Sequence, residues 1–284
     1  MATARQVVLG MLPSSILGRL RAWRVQQTVA AYAPRVVEHR YGDGPLRVYL
    51  GDPLGQGWYD HDWVQLPEIS KLRGSTLRPG ARVFDIGAHQ GVVAMMLARE
   101  VGSSGYVLAV EPNPHNAAVA LKNRALNDMN QIEIVEAAVS DRSGTVVFNQ
   151  GLDGQLDDGT GSGGRMPVAC VTLDALAQRH GMPDFVMIDV EGAECKVLKG
   201  GRNILLSGAD IAVEVHVGHG LEKLGGSVEE LLSFFPPDRF IVTARAEPDT
   251  SFRPLAANDP LTRHRFFLLA TRKRLSVKPL ADVI

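Results

Sequence analysis

From residue 82 onward, short apolar runs of strand length alternate with segments whose apolar residues recur at helical spacing. The strand-like runs are "RVFDI", "YVLAVE", "IEIVEAAV", "DFVMIDV" and "DIAVEVHV". Between them lie "VVAMMLAREV", "PHNAAVALKNRALN", "TLDALAQRH" and "AECKVLKGGRNILL", with Pro114 and Thr172 placed where helix starts favour them. This alternation predicts an α/β fold, a mostly parallel sheet with helices on both faces. The chain closes as "SVEELLSFF", "RFIVTA" and "HRFFLLATRK", a helix and two strands. With no helix between those last two, one of them is expected to run antiparallel.

Upstream the pattern differs. "RVVEHRYGDGPLRVYLGD" reads as two strands around the turn "GDG", and "LPEISKL" as a short helix. Before them, Ile16, Leu20 and Trp23 share a helical stripe, and Arg5, Arg19, Arg21, Arg24 and Arg35 precede the first acid, Glu38. Such a helix either packs on the main domain or lies on an anionic membrane surface. Pro13 and the arginines interrupt any signal-peptide run before "AYA". The expected division is an N-terminal helical and hairpin extension, residues 1–80, and an α/β domain, residues 81–284. Within the latter, "GTVVF" predicts a small added strand, and the polar, glycine-rich stretch over 151–164 a mobile flap or an unstructured loop.

Composition narrows the partners. With 30 basic against 31 acidic residues there is no global charge to attract nucleic acid. Cys170 and Cys195 make neither a disulfide framework nor a zinc set, which predicts buried free thiols in a reducing, cytoplasmic setting. Peripheral membrane contact through residues 1–35 is the variant of that expectation; no run is apolar enough to span a bilayer. The partner expected is a small molecule or glycan.

In sheets of this kind ligands bind beyond the carboxyl ends of the strands. Asp85, Glu111, Ala138, Asp189 and His216 each end or follow one of the five runs. After Asp85 comes Gly87-Ala88-His89-Gln90-Gly91. A dinucleotide loop needs a further glycine between these two, and Asp85 would repel a diphosphate. The G-K-[ST] of a phosphate-binding loop is absent. S-adenosylmethionine carries an ammonium, a sulfonium and no phosphate, so an acid at this turn attracts it. On this reading Asp85 takes the amide donors at the start of the helix, and Glu111 accepts the ribose hydroxyls.

With those residues in place, the chain resembles the FkbM-type family of S-adenosylmethionine-dependent methyltransferases. The resemblance runs from about Trp58 to Thr271 through "VFDIGAHQG", "AVEPNP", "EAAVSD", "TLDAL", "MIDVEGAECKVLKGG" and "VEVHV", in that order. "IDVEGAE" followed by "LKG" is the most specific part, and His89-Gln90 departs from the small or asparagine residues expected there. The resemblance implies a class I, Rossmann-like methyltransferase domain over 81–284, with a seven-stranded sheet containing one antiparallel strand. It implies methyl transfer to a hydroxyl of a sugar or another natural product, with Asp85, Gly87, Gly91 and Glu111 binding the cofactor.

An alcohol is a poor nucleophile until its proton leaves, so a base or a metal is needed beside it. Asp189 ends the fourth run; Glu191 and Glu194 are near one face of the next helix start; Glu214 and His216 alternate and so share a strand face. Asp189, His216 and Glu191 are the candidate catalytic residues, His216 having the natural pKa for a base at neutral pH. Glu194 reads more simply as an acid favouring a helix N-terminus. A divalent ion on oxygens of Asp189, Glu191 and Glu214 is the secondary option. Trp58, Tyr59 and Trp63 either line an acceptor pocket or belong to the core. Three other functions stay open: a cofactor-binding module without chemistry, a methyltransferase acting on a carboxylate, and a nicotinamide oxidoreductase.

Overall fold

The computed structural model describes residues 14–152, 154, 156, 164–256 and 259–273, with no account of the side chains of 14–19, 21, 22, 150 and 164. Five strands form the parallel centre: β3 (Arg82–Ile86), β4 (Tyr106–Val110), β5 (Ile132–Val135), β9 (Phe185–Ile188) and β10 (Asp210–Val215). β13 (Phe266–Arg272) pairs antiparallel with β10, and β11 (Phe240–Arg245) antiparallel with β13. The order is β12-β11-β13-β10-β9-β3-β4-β5, where β12 is the two-residue edge Arg253–Pro254. This is the expected mostly parallel sheet of seven strands with one antiparallel member, plus a minimal edge. The sequence places the reversal in β13 because β11 returns to it through a loop with no crossover helix.

Both faces of the sheet are covered, and strand alternation decides which residue goes where. Phe84, Ile86, Val186 and Ile188 join the core under helices α6 (Leu173–His180), α7 (Glu194–Lys199) and α9 (Val228–Ser233). Val83, Val107 and Phe185 point the other way, into a core with α4 (Val92–Val101). α4 is apolar nearly all round, which suits a helix buried on every side. Its outer side is closed by the hairpin of β1 (Arg35–Tyr41) and β2 (Gly44–Leu50), whose Tyr41, Leu46, Val48 and Leu50 share that core. Arg99 on α4 donates to the carbonyls of Gly44 (2.7 Å) and Tyr41, so the hairpin turn is bonded to the helix as well as packed on it.

Four local readings change. "PLGQGWY" forms a short helix, α2 (Pro53–Tyr59), capped by Asp52, whose side chain accepts from Gly55 N–H. "IEIVEAAV" is not one strand: it breaks after Val135, and β6 (Ala138–Val139) leaves the main sheet for a side sheet with β7 (Gly144–Gln150) and β8 (Gly164–Val171). The segment between the glycine-rich stretch and "TLDALAQRH", for which the sequence predicts no element, is the strand β8 and pairs along all of β7. "AECKVLKGGRNILL" is two helices, α7 and α8 (Arg202–Ser207), because Gly200 packs on the Ser140 carbonyl and Gly201 on Leu173. The remaining helices are α1 (Ser14–Ala31), α3 (Pro67–Leu72) and α5 (Pro114–Leu126).

α1 lies against β7 and β8 of the side sheet, with Leu20 and Trp23 exposed. Arg5 and Pro13 lie outside the described residues, as do 153, 155 and 157–163 of the glycine-rich stretch. Among the described residues no helix is long and apolar enough to cross a membrane. Cys170 and Cys195 are free and buried.

Candidate functional site

The turns after β3, β4 and β9 meet around one pocket. Gly87 has φ +88°, a conformation that L side chains rarely adopt, and a Cβ there would stand 1.7 Å from the Asp189 carbonyl oxygen. The first turn therefore presses directly on the end of β9, and glycine is required by both backbone and space. Gly91 (φ +79°) starts α4 in the left-handed region, where a Cβ would lie 3.0 Å from Ala120. The pocket wall includes Gly87, His89, Glu111, Ala138, Asp189 and Glu191, with Ile86, Val110 and Phe148 as apolar surface. Ala138 reaches it from the side sheet and not from the end of a central strand.

Two acids occupy the cofactor end. Asp85 is buried and its Oδ2 has no hydrogen-bond partner; burial, then the charge of Glu111, pushes its pKa up to about 7. Glu111 is also buried. It accepts from His89 N–H at 2.9 Å and Asn113 N–H at 2.8 Å, bonds that offset part of its desolvation, and its pKa still rises to about 7. This corrects one expectation: the glycine-loop amide at His89 goes to Glu111, while Asp85 keeps an unpaired oxygen beneath the loop.

His89 was legible as a departure from pattern but not as a structural joint. It sits at φ +47°, its Nδ1 is 2.9 Å from Tyr59 Oη, and its Nε2 lies 3.3 Å from the Leu152 carbonyl. Asn113 and Asn116 donate to the carbonyls of Gly151 (2.8 Å) and Leu152 (2.9 Å), so the first residues of 151–164 are bonded across the cofactor end. The aromatic trio divides. Trp58 is half-exposed, lines the pocket and lies 4.8 Å from the His89 ring, whereas Tyr59 is buried and Trp63 packs on Tyr41 and Tyr59.

At the other end of the pocket, Asp189, Glu191, Glu214 and His216 come together. His216 is only 2 % exposed; its Nε2 lies 3.4 Å from Glu191, 3.7 Å from Asp189 and 3.7 Å from Glu214. Its Nδ1 is 2.7 Å from Oε1 of Glu194, a fully buried acid whose same oxygen accepts from Gly192 N–H at 2.8 Å. Glu194 is thus more than a helix-terminus acid: it orients the imidazole, a role visible only once "EGAE" and "EVH" are side by side. Burial by itself lowers the His216 pKa, but the hydrogen bond to Glu194 and the charges of Glu191 and Asp189 outweigh it and push the pKa up to about 9. The Asp189 side chain is partly open, yet its Oδ1 is shut off from solvent. That burial, then Glu214, raises its carboxyl well above the usual range. Arg265 pairs with Glu214 at 3.2 Å. Glu191 stands at φ +53° in the turn between β9 and α7, a strained position for a non-glycine residue at a functional edge.

The family model of the methyltransferase FkbM domain matches residues 85–242, more than half of the chain. A hexuronic acid methyltransferase, AglP, of Haloferax volcanii is 24% identical over 205 residues, spanning 71% of this chain and 82% of that protein. Among solved structures, methyltransferase FkbM of Methylobacillus flagellatus superposes with a TM-score of 0.47 at 18% identity, over 72% of this chain and 48% of that one. A SAM-dependent O-methyltransferase of Thermotoga maritima gives a TM-score of 0.44 at 17% identity, over 87% and 82% of the two chains.

Proposed function

The chain belongs to the FkbM family of methyltransferases, and from that membership we propose that it transfers the methyl group of S-adenosylmethionine to a hydroxyl of a sugar-like acceptor. The observation that carries the cofactor reading is the unpaired, buried Oδ2 of Asp85 next to Glu111, two desolvated acids at the end of a glycine loop. A ligand with two positive charges and a ribose diol suits that pair; a phosphate does not. Gly87, Gly91 and Glu111 would hold the cofactor, with Asp85 below the loop and Ala138 against its apolar part. When bound, S-adenosylmethionine supplies a methyl group already activated by its sulfonium, so the protein's task is alignment and proton removal.

For the proton, Asp189 is the group the geometry favours: it is on the pocket wall, whereas His216 is buried behind it with one nitrogen committed to Glu194. His216 and Glu191 then act as positioning and charge-balancing groups around that carboxylate. Asp189 would take the hydroxyl proton as the acceptor oxygen bonds the methyl carbon, the pair of the broken carbon–sulfur bond staying with the departing thioether. A sugar acceptor is supported by the relative whose name specifies a hexuronic acid. A carboxylate acceptor would need no base but would meet the like charges of Asp189, Glu191 and Glu214. A cofactor-binding module without chemistry would have no use for this second cluster. Calorimetric titration with S-adenosylmethionine tests the first half. Release of S-adenosylhomocysteine with oligosaccharides bearing uronic acids tests the second, and cofactor binding without turnover on any glycan would overturn it.

A further inference from the structure

We propose that Asp189, Glu214 and His216 form a divalent-cation site at the acceptor end of the pocket. One oxygen from each acid and Nε2 of His216 all lie within 4.8 Å of one another. Acid clusters are common, so the proposal rests on how the histidine is held. His216 is 2 % exposed, and its Nδ1 side is fixed by Glu194, whose Oε1 is 2.7 Å away. With an ion displacing the Nε2 proton, Glu194 would keep the remaining proton on Nδ1 and the lone pair of Nε2 would point at the acids. This carboxylate–histidine arrangement is the usual second layer of a metal site, fixing tautomer and ring orientation.

The independent observation is at the far nitrogen. Nε2 is buried without a hydrogen-bond partner, and so is Oδ1 of Asp189, the oxygen facing it. Nε2 faces three acids, Glu191 at 3.4 Å and Asp189 and Glu214 at 3.7 Å each, and hydrogen-bonds none of them. Two ligands bound to one ion at about 2.1 Å each lie roughly 3 to 4.2 Å apart, depending on the angle between them. Both distances from Nε2, to Asp189 and to Glu214, fall in that range, and the two acids lie within 4.8 Å of each other. Arg265 sits 3.2 Å from Glu214 at the rim, and among the described residues no arginine or lysine pairs with Asp189. The mixed set of one imidazole and two carboxylates suits Mn²⁺, Fe²⁺ or Zn²⁺ better than a purely oxygen-seeking ion.

The ion's purpose rests on the methyl-transfer reading above: set beside the pocket, it would hold and polarise an acceptor hydroxyl. Its existence does not. The full-length protein, stripped with chelator, would be titrated with MnCl₂ by calorimetry and electron paramagnetic resonance, with S-adenosylmethionine titrated in parallel. The expected result is one Mn²⁺ per chain. Asp189→Asn, Glu214→Gln and His216→Ala should each weaken Mn²⁺ binding tenfold or more, and Glu194→Gln by about 10- to 100-fold through the misoriented ring. Glu38→Gln, at an exposed site, should leave it unchanged, and circular dichroism would confirm that every variant is folded. Absence of a stoichiometric site, or equal affinity in wild type and all four variants, overturns the proposal. Cofactor binding without Mn²⁺ binding leaves methyl transfer standing and removes the ion. Mn²⁺ binding without cofactor binding does the reverse.

Discussion

Two acid-bearing edges of the same sheet solve the same electrostatic problem differently. At the ends of β3 and β4, Asp85 and Glu111 are desolvated and close enough for the charge of Glu111 to raise Asp85, and the bonds from backbone amides and Asn116 all go to Glu111. At the ends of β9 and β10, Asp189, Glu191 and Glu214 surround an imidazole, with Arg265 on the rim. Among the described residues no ion pair to Asp85 or Glu111 is seen at the first edge, which suits the cationic ligand proposed for it. The second carries its own positive charge, or takes it from an ion. An edge shaped for binding can leave its charge for the ligand to complete. One shaped for proton removal must control charge before the acceptor arrives.

The sharpest way to separate the edges is Asp189→Asn. If it is the base or an ion ligand, turnover should drop by about 10²- to 10⁴-fold while S-adenosylmethionine affinity moves little. Equal loss of affinity and turnover would mean that the edges are not functionally distinct. Gly87→Ala attacks the joint between them. The added methyl meets the Asp189 carbonyl at 1.7 Å with φ at +88°, so it should cost about 2 to 5 kcal/mol in chemical denaturation. Gly208→Ala, with φ +112° but open space around it, should cost clearly less. A wild-type unfolding midpoint for Gly87→Ala would show that the two turns are not in contact.

Asp85→Ala and Glu111→Ala should each weaken S-adenosylmethionine binding about tenfold or more in calorimetry, roughly 1.4 kcal/mol, since Glu111 lines the pocket and Asp85 lies just beneath its glycine loop. Binding like wild type in both would move the cofactor elsewhere. The smallest effect is in pH. Both carboxyls titrate near 7 when folded and about 4 when unfolded. The folded protein therefore keeps protons that the unfolded chain has released, and stability from this pair declines as pH rises from about 4 through about 7. Cofactor affinity should move the opposite way, rising severalfold between pH 6 and 8 as the acids ionise. Thermal melts and titrations across that range check both signs, and Glu111→Gln should flatten each curve.

The fold was readable because each local signal agreed with its neighbours. Alternating apolar runs gave the parallel centre, Thr172 caps α6 through Ala175 N–H, and the hairpin around "GDG" pairs in full register. What was misread involves partners far away in the chain. β8 follows directly on a glycine-rich stretch and carries Pro167, so it is a strand only because β7 pairs with it, and α2 hides among aromatics until Asp52 caps it. Gln90 departs from pattern because its side chain is buried against Asp52, at 2.6 Å.

By itself the sequence determined the order of strands and helices, the glycine turn and the acids at the strand ends, since these follow from backbone period and from positions next to each other in the chain. Asp85 at the first turn also made a phosphate ligand the poorer expectation there and a cationic one the better. Only the tertiary structure decided which acids share a charge. Glu194 and His216 are 22 residues apart, and their 2.7 Å contact exists because β9 and β10 are neighbours in the sheet. The same adjacency buries His216 and raises Asp189, since desolvation depends on what packs around a group and not on what precedes it in the chain.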